Sequence, residues 1–129
     1  MNLNPPPESD FVEMIESCLD SVWSLELLLL LHSRPDSSWT TSDLVSELRS
    51  SELVVAQSVR SLLEAGLVIE EGAGLIRYSP VSPDLAVFVA RLEHEYRARP
   101  NYVRRVIVSR SNAKLTSFSD AFLLRKTSP

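Results

Sequence analysis

The sequence predicts a mainly helical domain carrying one small β-hairpin. Three observations point that way. Ser51–Val68, SELVVAQSVRSLLEAGLV, has a helix's spacing of apolar residues and stops at Gly66. The next ten residues, IEEGAGLIRY, are two short β-prone runs around Gly-Ala-Gly. Upstream, the run from Trp23 to Leu31 is apolar nearly all round, as a central buried helix should be.

At 129 residues, with 44% hydrophobic and 23% charged residues, the chain suits one well-buried core. Residues 1–8 hold Pro5-Pro6-Pro7 and are expected to form a disordered arm. Ser9 or Asp10 can cap a first helix, in which Phe11, Met14, Ile15, Cys18, Leu19 and Val22 make one apolar stripe. Asp20-Ser21 offers a break before the central run, which Arg34-Pro35-Asp36 closes because proline has no backbone donor. Trp39 is expected in a short extended segment held to the core.

Thr40, Thr41 or Ser42 can cap the next helix, with Leu44, Val45 and Leu48 inward. Ser51 can cap the one after. Its core face is read as Val55, Val59, Leu62 and Leu63, with Ala56 beside them. Its outward face is read as Val54, Gln57, Ser58 and Ser61. Gly66 supplies a left-handed stop, and Val68-Ile69 pairs with Leu75–Tyr78. Ser82-Pro83 opens a helix with proline at its first position, with Leu85, Phe88, Val89, Leu92 and Tyr96 as its stripe. Pro100 is expected to break it. A further helix is expected from Asn101 to about Arg110. A last one is expected after Ser111 or Asn112, with Leu115, Phe118, Ala121 and Phe122 on its apolar face.

The order helix, helix, helix, hairpin over about residues 21–79 resembles the winged helix-turn-helix superfamily, in particular MarR-like bacterial regulators. The residues that carry the resemblance are Trp39–Leu48, Val55–Leu63, Glu64-Ala-Gly-Leu-Val and the hairpin. It implies a winged-helix domain over 9–80, with 81–129 as a C-terminal helical extension of the same unit. It also implies a cytoplasmic transcriptional regulator that binds double-stranded DNA as a homodimer, without a cofactor. On that resemblance Val54, Gln57, Ser58 and Ser61 would face bases. Thr40, Thr41 and Ser42 would offer hydroxyls and amides to phosphate. Arg77 would be the wing contact. Leu115, Phe118 and Phe122, which a small core can hardly absorb, are the candidate dimer residues.

Charge leaves a second reading open. Residues 1–89 carry four Arg/Lys against fourteen Asp/Glu, a net of −10, whereas residues 90–129 carry nine against three, a net of +6. Thr41–Ala65 has Arg49 and Arg60 against Asp43, Glu47, Glu52 and Glu64, a net of −2. Affinity for nucleic acid rests on Lys/Arg at phosphates, so the alternative is a protein-interaction module on the same fold. Arg97, Arg99, Arg104, Arg105, Arg110 and Lys114 form a second candidate surface, suited to nucleic acid or an acidic protein, or else to pairing with the acidic half.

Catalysis and metal binding find little support. His32 and His94 lie far apart, and His94-Glu95 lacks the second histidine of a zinc-binding helix. His32 suits a helix C-terminus, where a cation meets the dipole. Cys18, the one cysteine, falls on an apolar stripe and is expected to be buried and inert, in keeping with a reducing cytoplasm. The first residues have neither the basic nor the apolar region of a secretory signal, and Leu27–Leu31 is too short for a membrane span.

Overall fold

The computed structural model describes residues 8–109. They form α1 (Glu8–Cys18), α2 (Val22–Ser33), α3 (Thr41–Leu48), α4 (Glu52–Glu64), strands β1 (Val68–Glu71) and β2 (Leu75–Tyr78), α5 (Pro83–Ala98) and α6 (100–109). The architecture is mainly helical with a small two-stranded antiparallel sheet.

Capping residues set most of the boundaries. Ser21 accepts from the Ser24 amide, and the Ser24 hydroxyl lies 3.2 Å from the Ser21 amide and donates to the Ser21 carbonyl at 2.7 Å. These contacts also satisfy Ser24, which is fully buried. Thr40 caps α3, Ser51 caps α4 and Ser82 caps α5, each through its side-chain oxygen. Two boundaries differ from expectation. The first helix already includes Glu8, which the sequence reading assigned to the disordered arm; its carboxylate is held by Tyr102 and Arg91. Pro100 does not only end α5. Arg99 is the C-cap, and Pro100 stands in the first turn of α6, where its missing donor costs nothing. The other expectations for residues 1–7 and beyond 109 lie outside the described residues.

α2 is the centre of the molecule. Leu25, Leu27, Leu28 and Leu31 are all fully buried. Phe11 and Ile15 of α1, Leu44 of α3, Val55 and Leu62 of α4, and Phe88, Val89 and Leu92 of α5 close around them in one core. Burying each such side chain contributes roughly 1.5–3 kcal/mol. Phe11 and Phe88 meet with centroids 5.9 Å apart. Val103 and Ile107 bring α6 into the same core.

The hairpin pairs Val68 with Tyr78 and Glu71 with Leu75. Gly72–Gly74 turns it, with Ala73 and Gly74 at positive φ. Trp39 adds a third extended piece. It exchanges both backbone hydrogen bonds with Ile76 at 2.8 Å and is buried, as expected. Gly66 joins α4 to the hairpin at φ 77, and a Cβ there would stand 2.8 Å from Val81 Cγ2. The Leu67 amide closes the helix by donating to the Leu62 carbonyl at 3.0 Å.

Candidate functional site

The candidate site is the face formed by the start of α3, the outer side of α4 and the hairpin. α4 turns differently from the expectation. Ser58 is buried at 3% exposure, beside Val55, Val59 and Leu62, so it faces the core and not a partner. Ala56, expected near the core, is exposed. α1 is one neighbour of α4 on that side. Its C-terminal end approaches α4 where the Ser61 hydroxyl reaches the Cys18 carbonyl at 3.5 Å. Ser58 lies one turn earlier on that same side of the helix.

The outer face is therefore Glu52, Leu53, Ala56, Gln57, Arg60 and Glu64, all exposed. Val54 and Ser61 stand half-buried at its edge. Two functional candidates escaped the sequence reading. Leu53 is a large apolar side chain left 68% exposed. Arg60 is a cation one turn from Gln57. Helical spacing alone puts Gln57 and Arg60 on one face; what hid it was centring the core too near Leu63. A groove of about 570 Å³ runs along this side, lined by Gln57, Arg60 and Glu64 of α4 and by Ser17, Leu19 and Asp20 at the end of α1.

The two features expected to meet phosphate already have internal anions. Thr40, Thr41 and Ser42 are exposed, and only Thr40 caps. The Asp43 amide donates to the Thr40 hydroxyl at 3.0 Å, and the Thr40 amide donates to the Asp43 carboxylate at 3.3 Å. A carboxylate thus occupies the positive end of α3. On the hairpin, Arg77 Nε donates to Glu71 at 3.1 Å, and the Ser38 hydroxyl donates to the same oxygen at 2.6 Å. The Ser38 bond, with Arg77 next, holds the Glu71 carboxyl below the usual carboxylate range. Glu71 therefore stays charged and keeps Arg77 paired at neutral pH.

The basic candidates are partly used within the fold. Arg99 pairs with Glu95 and reaches Glu8 at 3.5 Å. Arg104 donates to the Tyr96 hydroxyl at 2.8 Å, and Tyr96 donates to Glu26 at 2.6 Å. Arg97, 80% exposed, reaches Glu93 at 3.5 Å. Arg105 is exposed. Arg110 and Lys114 lie outside the described residues, as do the dimer candidates Leu115, Phe118 and Phe122.

His32 ends α2 as expected. Its Nδ1 lies 2.9 Å from Glu93, and its ring meets Tyr78 edge-on at 5.1 Å. Cys18 is buried, and burial pushes its thiol up. Among the described residues no group of three His, Cys, Asp or Glu side chains could hold a metal. No helix among them is long and apolar enough to cross a membrane. Comparison with protein-family models, with curated proteins and with solved structures finds no match.

Proposed function

We propose that the chain is a winged-helix domain that works as a protein-interaction module through the outer face of α4. The element order supports the winged-helix reading. Three helices lead to a hairpin that also takes in Trp39 from the segment before α3. One observation carries the functional reading. The helix that would enter a DNA groove presents exposed Leu53 beside Glu52, with Glu64 at its far end, while Asp43 and Glu71 occupy the neighbouring phosphate contacts. A surface of that kind repels a polyanion and suits a partner with apolar and basic side chains.

DNA binding as a transcriptional regulator is the second reading, and Gln57 and Arg60 favour it. They are exposed one turn apart, and those side chains pair with adenine and guanine edges respectively. Titrating labelled mixed genomic fragments over about 50–200 mM salt separates the two. The module reading expects weak binding that Gln57→Ala and Arg60→Ala leave unchanged. Tight binding with a steep salt slope, lost in either variant, returns the regulator. A photo-crosslinking residue at position 53 provides the positive arm: its adducts in cells should be protease-sensitive and nuclease-resistant.

A further inference from the structure

A groove of about 360 Å³ lies between the start of α2 and the end of α3, lined by Val22, Trp23, Glu26, Glu47 and Leu48. Three of these residues are apolar, and both charged ones are acidic. Trp23 is 42% exposed, the largest apolar side chain left in water among the described residues. Its exposure is fixed by its own helix. Ser24 and Leu25, the next two residues, are fully buried, so the turn that carries Trp23 cannot rotate it inwards. Glu47 is exposed and has no ion pair among the described residues. Glu26 accepts from the Tyr96 hydroxyl at 2.6 Å.

A groove of that makeup fits a segment that brings aromatic and basic side chains together, and the chain itself holds one. Residues 110–129, outside the described residues, carry Arg110, Lys114, Arg125 and Lys126 against Asp120, a net of +3. Leu115, Phe118, Phe122, Leu123 and Leu124 fall between Lys114 and Arg125. Residues 8–109 carry nine Arg/Lys against sixteen Asp/Glu, a net of −7. The described chain also ends close to the groove. Arg104 of α6 donates to the Tyr96 hydroxyl at 2.8 Å, and that hydroxyl donates to Glu26 on the groove's rim. The five residues of α6 beyond Arg104 add about 8 Å, whereas the nine from 109 to Phe118 span up to about 30 Å. Two other surfaces suit the segment less. The groove on α6, lined by Asn101, Arg104, Arg105 and Val108, is basic and repels it. Leu53 shares its face of α4 with Arg60.

We infer that residues 110–129 bind in the α2–α3 groove of their own chain, with Phe118 against Trp23 and the terminal basic pair, Arg125 and Lys126, toward Glu26 and Glu47. Aromatic pairs contribute beyond the area they bury, so Phe118 on Trp23 anchors the segment. The charges fix its direction in the groove. Being tethered, the segment meets the groove at an effective concentration near the millimolar range, so a contact too weak between separate molecules is occupied within one. Docked in this way, the segment covers Trp23 and takes its own phenylalanines out of water. This inference stands apart from the reading of α4, whose face it leaves open.

The test is a photo-crosslinking benzophenone side chain at position 118 of the full-length protein, irradiated at micromolar concentration, with the joined peptides mapped after digestion. The main adduct is expected at the mass of one chain, 14.4 kDa, joining position 118 to the peptide that holds Val22–Glu26 or to the one that holds Glu47 and Leu48. Glu47→Lys should cut its yield about threefold or more, and adding Arg125→Glu with Lys126→Glu should restore it. A second arm reads Trp23 directly and needs no crosslink. Changing Phe118→Ser and Phe122→Ser together should make tryptophan emission more readily quenched by acrylamide, because Trp23 is uncovered while Trp39 stays buried. A main adduct between two chains overturns the inference. So does one that joins position 118 to α4 or α6, a chain that forms no adduct, or quenching that the serine changes leave as it was. The crosslink from position 53 and the fragment titration read the face of α4, and their outcomes do not bear on this groove.

Discussion

At the scale of single residues, two positions show how backbone and burial decide behaviour. Gly66 sits at φ 77, where a side chain is strained, and a Cβ there would press on Val81 at 2.8 Å. Gly66→Ala is expected to cost about 1–3 kcal/mol, from the left-handed conformation and the displaced valine together. Urea unfolding measures it, and a change under about 0.5 kcal/mol would contradict the account. Cys18 is buried, and that burial raises its thiol's pKa. Native labelling with Ellman's reagent should therefore be slow and should accelerate on unfolding, since the thiolate is the reactive form. Immediate stoichiometric labelling would show an open thiol. The sequence placed Cys18 correctly because the stripe from Phe11 is regular.

At the scale of elements, capping and ion pairing control what α3 and the hairpin offer to a partner. Thr40→Ala removes the hydroxyl that caps α3 and should cost about 1 kcal/mol of stability; an unchanged unfolding midpoint would mean that Asp43 alone holds the helix start. Glu71→Gln is the more telling change. Glutamine can still accept from Ser38, but it no longer neutralises Arg77. Whatever weak DNA binding exists should then strengthen, with a salt slope steeper by about one unit. No change in slope would show that the hairpin lies away from any nucleic acid. The helices, most of their caps, the Gly66 stop and the presence of the hairpin were legible from periodicity and turn residues. The rotation of α4 was not. Val55, Val59, Leu62 and Leu63 allow several orientations, and in the fold, with α2 as the main neighbour of α4, Ser58 is buried and Arg60 exposed.

At the scale of the whole molecule, part of the charge split in the sequence becomes a set of contacts between the two ends of the described chain. Glu8, in the first turn of α1, accepts from Tyr102 at 2.7 Å and from Arg91 at 2.9 Å, with Arg99 at 3.5 Å. The Tyr102 bond above all, with the two arginines, lowers the Glu8 carboxyl below its ordinary value. A carboxyl lowered in the folded state adds stability above its unfolded value, and that stability is lost as pH falls through the folded value. Glu8→Gln should therefore flatten the acid limb of a stability–pH curve and leave the neutral-to-alkaline limb parallel to wild type. An acid limb of unchanged steepness would place the acid sensitivity elsewhere.

By itself, the sequence determined the mainly helical class, the order of elements from α1 to α6, most of the capping residues and the burial of the α2 leucines. These follow from local rules: a period near 3.6, a serine or threonine before a helix, a glycine where φ turns positive. Only the tertiary structure decided which face of α4 is free, that Arg77 is held by Glu71, and that Glu26 is linked to Arg104 through Tyr96. Each of these depends on residues far apart in the chain, and a partner across such a distance leaves no periodic mark. The physical reason is the same in each case. Local spacing limits which residues share a face, but packing against another element decides which of those faces meets water.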